Sequence, residues 1–224
     1  MHKKFLTYSI IAGVLLILFC ALTVSLTFVD VREAGESGAP VGFATLNETV
    51  FEALGQDEIS LKLSDLCGVL MIAAVGAFGV TGLVQVIRRK GILRADKELY
   101  VMAGGLALLA VAYLFFEVVV INCRPVLEDG ELAASYPSSH AMLAVSVAGM
   151  GAAYLFKYLK PKFLNGLLCG FLVGLACVTV SLRLLGGVHW LTDIVGGVLL
   201  GLVITFAYLS VCALLAQKGK GHEG

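Results

Sequence analysis

Six long apolar runs dominate the pattern of hydrophobic and polar positions. Each approaches the ~20 residues that a membrane-spanning helix needs. They extend from about Phe5 to Val29, Leu66 to Ile87, Leu99 to Ile121, His140 to Phe156, Phe163 to Leu182, and Leu191 to Leu215. The pattern therefore predicts an all-α polytopic membrane protein with six transmembrane helices in a single domain over residues 1–224. The first run follows a basic start, M-H-K-K-F-L, much as in a signal peptide. It continues to about Phe28 with no clear small-residue cleavage site after it, and reads as an uncleaved first span.

Between the first two runs lies a polar segment, Asp30 to Asp65, that is acidic through Glu33, Glu36, Glu48, Glu52, Asp57 and Glu58. Within it Leu46, Val50, Phe51 and Leu54 would share one face of a helix over Leu46–Leu54. That predicts a short amphipathic helix on the membrane surface, with a plain solvated loop as the alternative. Glycines in the spans, such as Gly76, Gly79, Gly82, Gly170 and Gly174, read as surfaces where helices approach closely. Such faces serve within one chain or between chains, so they leave the oligomeric state open.

Composition agrees with a membrane protein. Of the 224 residues 59% are hydrophobic and 14% charged, against roughly 45–50% and about 25% in soluble domains. The formal net charge is zero, which gives no reason to expect a nucleic-acid partner. The six cysteines are scattered without a C-x-x-C pair and read as small buried hydrophobes. The basic residues fix an orientation. Twelve of the 16 fall before the first run, between the second and third, between the fourth and fifth, and after the sixth. The positive-inside rule then puts both termini in the cytoplasm and the 30–65 segment outside.

That orientation gathers three polar clusters at the outer surface: Asn122-Cys123-Arg124-Pro125, Tyr136-Pro137-Ser138-Ser139-His140, and Arg183 to Asp193. The last interrupts apolar sequence with a cation, an imidazole and a carboxylate, which are costly at membrane depth unless they face one another or a polar pocket. His189 and Asp193 are four apart and would lie one turn apart on a helix face. The carboxylate can hold one ring nitrogen and leave the other as a base or nucleophile. Arg124 and Arg183 suit the oxygens of a phosphoryl group and the charge of its transition state. Pro137 and the two serines read as a helix start, with proline in the opening turn, serine caps, and N–H groups aimed at an anion. The chemistry suggested is phosphoryl transfer: His189 attacks phosphorus, Asp193 holds His189, and His140 protonates the leaving oxygen. With no carboxylate cluster suited to Mg²⁺, the reading needs no metal and no cofactor. Taken singly, the arginines and His189 have a plainer reading as interfacial side chains and the serines as simple caps. Their occurrence together on one side favours the site. His2 and His222 lie in the tails and read as solvated.

R-P, then P-S-S-H, then R-x5-H-x3-D, in this order, resembles the type 2 phosphatidic acid phosphatase superfamily. The resemblance implies a helical membrane core and a metal-free phosphatase mechanism through a phosphohistidine. It implies His189 as nucleophile, Asp193 as its partner and His140 as general acid, with Arg124, Ser138 and Arg183 binding phosphate. Ser139 adds a further donor. It also implies a lipid phosphate substrate, since the family acts on phosphatidic acid, phosphatidylglycerol phosphate and undecaprenyl pyrophosphate, and it makes a bacterial plasma membrane plausible. Three positions depart from the family pattern: Glu117 stands where a lysine is usual, Ser139 replaces the glycine of P-S-G-H, and Leu182 replaces the serine before the arginine. The missing lysine removes one phosphate cation. Transfer to another lipid-linked acceptor, and non-catalytic binding or transport of a lipid phosphate, are the alternative functions.

Overall fold

The structure, a computed structural model, describes residues 2–127 and 130–221. His222 lies outside the described residues, as do the side chains of His2, Lys218 and Lys220. In chain order the elements are α1 (His2–Ser25), β1 (Arg32–Ala34), β2 (Ala39–Val41), α2 (Ala44–Leu54), α3 (Glu58–Arg88), a short 3₁₀ turn (Ile92–Arg94), α4 (Lys97–Val118), α5 (Ser139–Tyr158), α6 (Lys162–Leu185) and α7 (Leu191–Gly221). Six of these helices are long and apolar enough to cross a membrane, so the six-span helical architecture stands. The hairpin β1–β2, with Glu33 opposite Pro40, is a small addition to the all-α plan.

The polar boundary of the second span is displaced. α3 begins at Glu58, eight residues before the apolar run, because Asp57 caps it by accepting from Ile59 N and Ser60 N at 3.3 and 3.0 Å. A 31-residue helix is about 46 Å long at 1.5 Å per residue, well beyond the ~30 Å of a bilayer core. Its first two turns, Glu58 to Asp65, therefore stand at the polar end of the bundle.

α1 packs along α7, and α5 is wedged between α6 and α7. Close packing is made by other glycines than those expected. Gly76, Gly79, Gly170 and Gly174 have nothing within 4 Å of where a Cβ would stand, and Gly82 meets only Leu99 at an ordinary 3.6 Å. Glycines that do let helices touch include Gly68 of α3, Gly149 and Gly151 of α5, and Gly197 and Gly201 of α7, while Gly196 of α7 admits the Tyr136 ring. A Cβ on Gly197 would lie 2.5 Å from Ser138 O, and one on Gly196 would lie 2.4 Å from the Tyr136 ring.

The end of the bundle carrying the basic clusters is stitched by carboxylates. Asp96 accepts from Gln85 Nε2 (2.8 Å), Tyr154 OH (2.8 Å) and Arg89 Nη1 (2.9 Å). Burial raises its pKa, but these three donors outweigh that and hold it below the usual carboxylate range. Glu98 pairs with Lys157 and accepts from Tyr158 OH. The opposite end holds the C-termini of α4 and α6 and the N-termini of α5 and α7, and the polar clusters of the sequence meet there.

α2 spans Ala44–Leu54, and its inward face differs from the apolar one read in the sequence. Leu46 and Leu54 are exposed, whereas Ala44 and Asn47 are fully buried. Asn47 is drawn inward because its amide meets α7: Nδ2 donates to Thr192 Oγ1 (2.9 Å) and to Gly42 O (2.9 Å), while Oδ1 accepts from Thr192 N (3.2 Å). Phe51 lies against Trp190, ring centroids 5.5 Å apart. Ala34, Val41 and Ala44 complete an apolar cap over that indole.

Candidate active site

His189 sits in the short link between α6 and α7, and Asp193 in the first turn of α7. Both side chains are buried, 3% and 0% exposed. A carboxylate with no access to water needs donors. Asp193 has the Trp190 N–H at 2.9 Å on Oδ2 and Asn122 Nδ2 at 3.3 Å on Oδ1. His189 Nδ1 stands 3.8 Å from Oδ2, longer than a hydrogen bond, so the carboxylate acts on the ring chiefly through its charge. Burial lowers the pKa of His189 below its ordinary value and outweighs the opposing pull of Asp193. The ring is thus neutral near pH 7. Its Nδ1 and Nε2 are both buried without a hydrogen-bond partner, and the residue lines a recess shared with Arg124, Ser139, Glu117 and Tyr136.

The start of α5 forms the second wall. Ser138 is the N-cap; its Oγ accepts from Ala141 N, its N–H donates to Asp193 O at 3.0 Å, and its side chain is fully buried. The helix therefore opens at Ser139. Pro137 lies before the cap rather than in the first turn, joined to Tyr136 by a cis peptide. Of the two serines expected to meet an anion, Ser139 lines the recess, while Ser138 is engaged as the cap. Tyr136 is locked beneath by its OH, 2.7 Å from Thr23 Oγ1, and burial raises its pKa.

His140 lies in the first turn of α5, its side chain 28% exposed. It packs against α3 at Gly68, where a Cβ would fall 2.8 Å from the ring. Arg183, near the end of α6, is buried, with a side chain 5% exposed. Its Nη1 donates to Asp65 Oδ1 at 2.7 Å and to Ser64 Oγ at 3.2 Å. Asp65 Oδ1 is also 3.7 Å from His140 Nε2. Arg124 leaves α4 on an irregular segment tied down by its N–H to Ala133 O (3.0 Å). Cys123 beside it has its thiol pKa raised by burial and by Asp193, which keeps it protonated and inert.

The recess at His189 is tight, about 20 Å³, room for about one water. Tyr113 and Ser139 also line a larger groove of about 560 Å³. That groove runs past Asp65 and His140 between α3 and α4, over Val69, Ile72, Leu109 and Leu143.

All seven residues singled out in the sequence thus gather at one end of the bundle. Reasoning from sequence missed Asp65 and Ser64, which hold Arg183. It also missed Asn47 and Trp190, which fix the link carrying His189. Asp65 had a signal, a carboxylate on the threshold of an apolar run; Asn47 had none.

The class so defined is an α-helical membrane bundle with two imidazoles and two arginines gathered at one polar end. The chain belongs to the PAP2 superfamily, whose family model matches residues 99–214. Its fold is similar to that of a transmembrane PAP2-type phosphatidylglycerolphosphate phosphatase from Bacillus subtilis. The TM-score is 0.61 and the identity 22%, over 88% of this chain and 93% of that one. No curated protein matches the chain.

Proposed function

We propose that this protein is a lipid phosphatase that hydrolyses a lipid phosphate or pyrophosphate at the outer leaflet through a phosphohistidine. Membership of a phosphatase superfamily supports the class of reaction. The observation that carries the mechanism is His189 Nε2: buried, unpartnered, neutral, and beside Arg124 and Ser139. Its lone pair attacks phosphorus. As the bond from phosphorus to the leaving oxygen breaks, His140 donates a proton to that oxygen. A water then attacks the phosphohistidine, giving its proton to His140, and phosphate leaves with His189 restored. Arg124 and Arg183 bear the charge on the equatorial oxygens. The apolar groove between α3 and α4 suits a substrate whose tail stays in lipid while its headgroup reaches His140. The basic clusters at the other end of the bundle support the outer leaflet, since the positive-inside rule favours the cytoplasm for them and for both termini.

The test uses the full chain purified in detergent, with chelator present and three substrates: phosphatidic acid, phosphatidylglycerol phosphate and undecaprenyl pyrophosphate. Release of phosphate from at least one is expected, and no turnover by His189→Ala. Wild-type rates in His189→Ala would remove His189 as nucleophile. Phosphate appearing on a lipid acceptor rather than in water would favour the transferase reading.

A further inference from the structure

We propose that Asp65 is a specificity-determining residue: its carboxylate competes with the substrate's phosphoryl group for Arg183, so the site favours a phosphoryl group carrying one negative charge over one carrying two. The inference rests on the phosphatase reading above and deepens it.

The geometry is that of one oxygen between two groups of the site. Asp65 Oδ1 lies 2.7 Å from Arg183 Nη1 and 3.7 Å from His140 Nε2. A phosphoryl oxygen that reaches Arg183 from the His140 side meets this carboxylate. Asp65 does not resemble a carboxylate kept only to satisfy a buried arginine. Its side chain is 56% exposed against 5% for Arg183, and it lines the groove through which a headgroup would approach. Ser64 gives Arg183 a second, uncharged hold: its Oγ accepts from Nη1 while its own hydroxyl donates to Leu61 O at 2.7 Å. Arg183 therefore stays placed when Asp65 swings away.

The surrounding charges make the competition matter. Asp65 is faced by Arg183 from α6 and by His140 from α5, and Ser139 of α5 lines the same groove. On the helix of Asp65, α3, Lys62 is paired with Glu58 at 2.7 Å. Across the adjoining recess stand Arg124, the neutral His189 and, from α4, Glu117. Two guanidinium groups thus share the site with three carboxylates, Asp65, Glu117 and the buried Asp193, before any substrate charge is added. A dianionic phosphoryl group then brings twice the uncompensated charge of a monoanion into a site of reduced dielectric. Phosphate monoesters lose their second proton near pH 6, so both forms are present around neutrality.

The experiment compares wild type, Asp65→Asn and Asp65→Glu as purified full-length chains in detergent micelles of phosphatidic acid. It follows diacylglycerol release with inorganic phosphate as inhibitor. At about pH 8, where the dianion prevails, Asp65→Asn should lower the inhibition constant of phosphate and the KM by about tenfold. Near pH 5.5 the gain should shrink to about twofold, with kcat changed less than KM, and Asp65→Glu should follow wild type. Unchanged or weaker phosphate inhibition in Asp65→Asn, or a gain equal at both pH values, overturns the proposal. Asp65→Ser repeats the loss of charge should Asp65→Asn fail to fold. If no form of the protein turns over lipid, the phosphatase reading fails by itself. Thermal stabilisation by inorganic phosphate then decides the inference alone, a larger shift in the uncharged variant at the higher pH supporting it and an equal or smaller shift overturning it.

Discussion

Gly197→Ala tests the join on which the site depends. The Ser138 N–H donates to Asp193 O at 3.0 Å, bringing the start of α5 against the start of α7. Gly197 permits this approach: a Cβ there would stand 2.5 Å from Ser138 O, 3.0 Å from Ala141 Cβ and 3.3 Å from Met142 N. Ordinary contact begins at 3.4 Å, so the helices must part by about 1 Å. The nearest atom is backbone and cannot turn aside. Overpacking of this kind costs about 1–3 kcal/mol, or several degrees in the unfolding midpoint for a chain of this size. Ser139 and His140 move with α5, while His189 and Asp193 stay with α7. A misplacement of about 1 Å between reacting groups lowers turnover by about 100-fold. Gly174→Ala is the control, since nothing lies within 4 Å of its Cβ position; it should keep wild-type activity and stability. The assays are the initial rate of phosphate release and thermal unfolding in the same detergent. A Gly197→Ala protein with wild-type rate and midpoint would refute the packing of α5 on α7 and the geometry drawn from it.

Two further outcomes follow from the burial of the site. In the proposed mechanism His189 attacks only when neutral, and burial lowers its pKa. The nucleophile is therefore fully available at neutral pH and is lost as the pH falls through that lowered value, so the acid limb of kcat/KM should lie below about 6.5; a limb at or above that value contradicts the assignment. Asn47→Ala leaves the buried Thr192 N–H and Gly42 carbonyl without their side-chain partner and should destabilise the protein by about 1–3 kcal/mol, read as a lower midpoint in thermal unfolding.

Features set by transfer free energy were legible in the sequence. Long apolar runs must cross or be buried, so the six helices could be read within a few residues except where a polar helix extends beyond the apolar run. α3 shows why: Glu58 to Asp65 are helical because Asp57 caps them, and a cap adds nothing to hydropathy. The hairpin was hidden because three-residue strands are too short to show alternation. The glycines misled for a related reason. Frequency in a span says that close approach is possible, but which face meets a neighbour depends on the packing of the whole bundle, and Gly170 and Gly174 face away from it. Arg124, His140, Arg183, His189 and Asp193 were legible because charge inside apolar sequence demands a partner.

The same demand explains why site and fold are hard to separate here. Asp193 is a fully buried carboxylate, and an unpaired one would ionise only at a cost of several kcal/mol. Its donors come from the link before α7, through Trp190 N, and from the segment after α4, through Asn122. Each donor is itself held. Asn122 Oδ1 accepts from Gly42 N, and Trp190 Nε1 donates to Cys123 O. The hairpin and α2 therefore do more than cover the end of the bundle. Through Gly42 they set the amide of Asn122, and through Ala44 and Phe51 they press on Trp190. A chain lacking only the hairpin and α2 would keep every residue of the three sequence motifs, yet it would lose the contacts that set Asn122 and Trp190, the two donors to the Asp193 carboxylate.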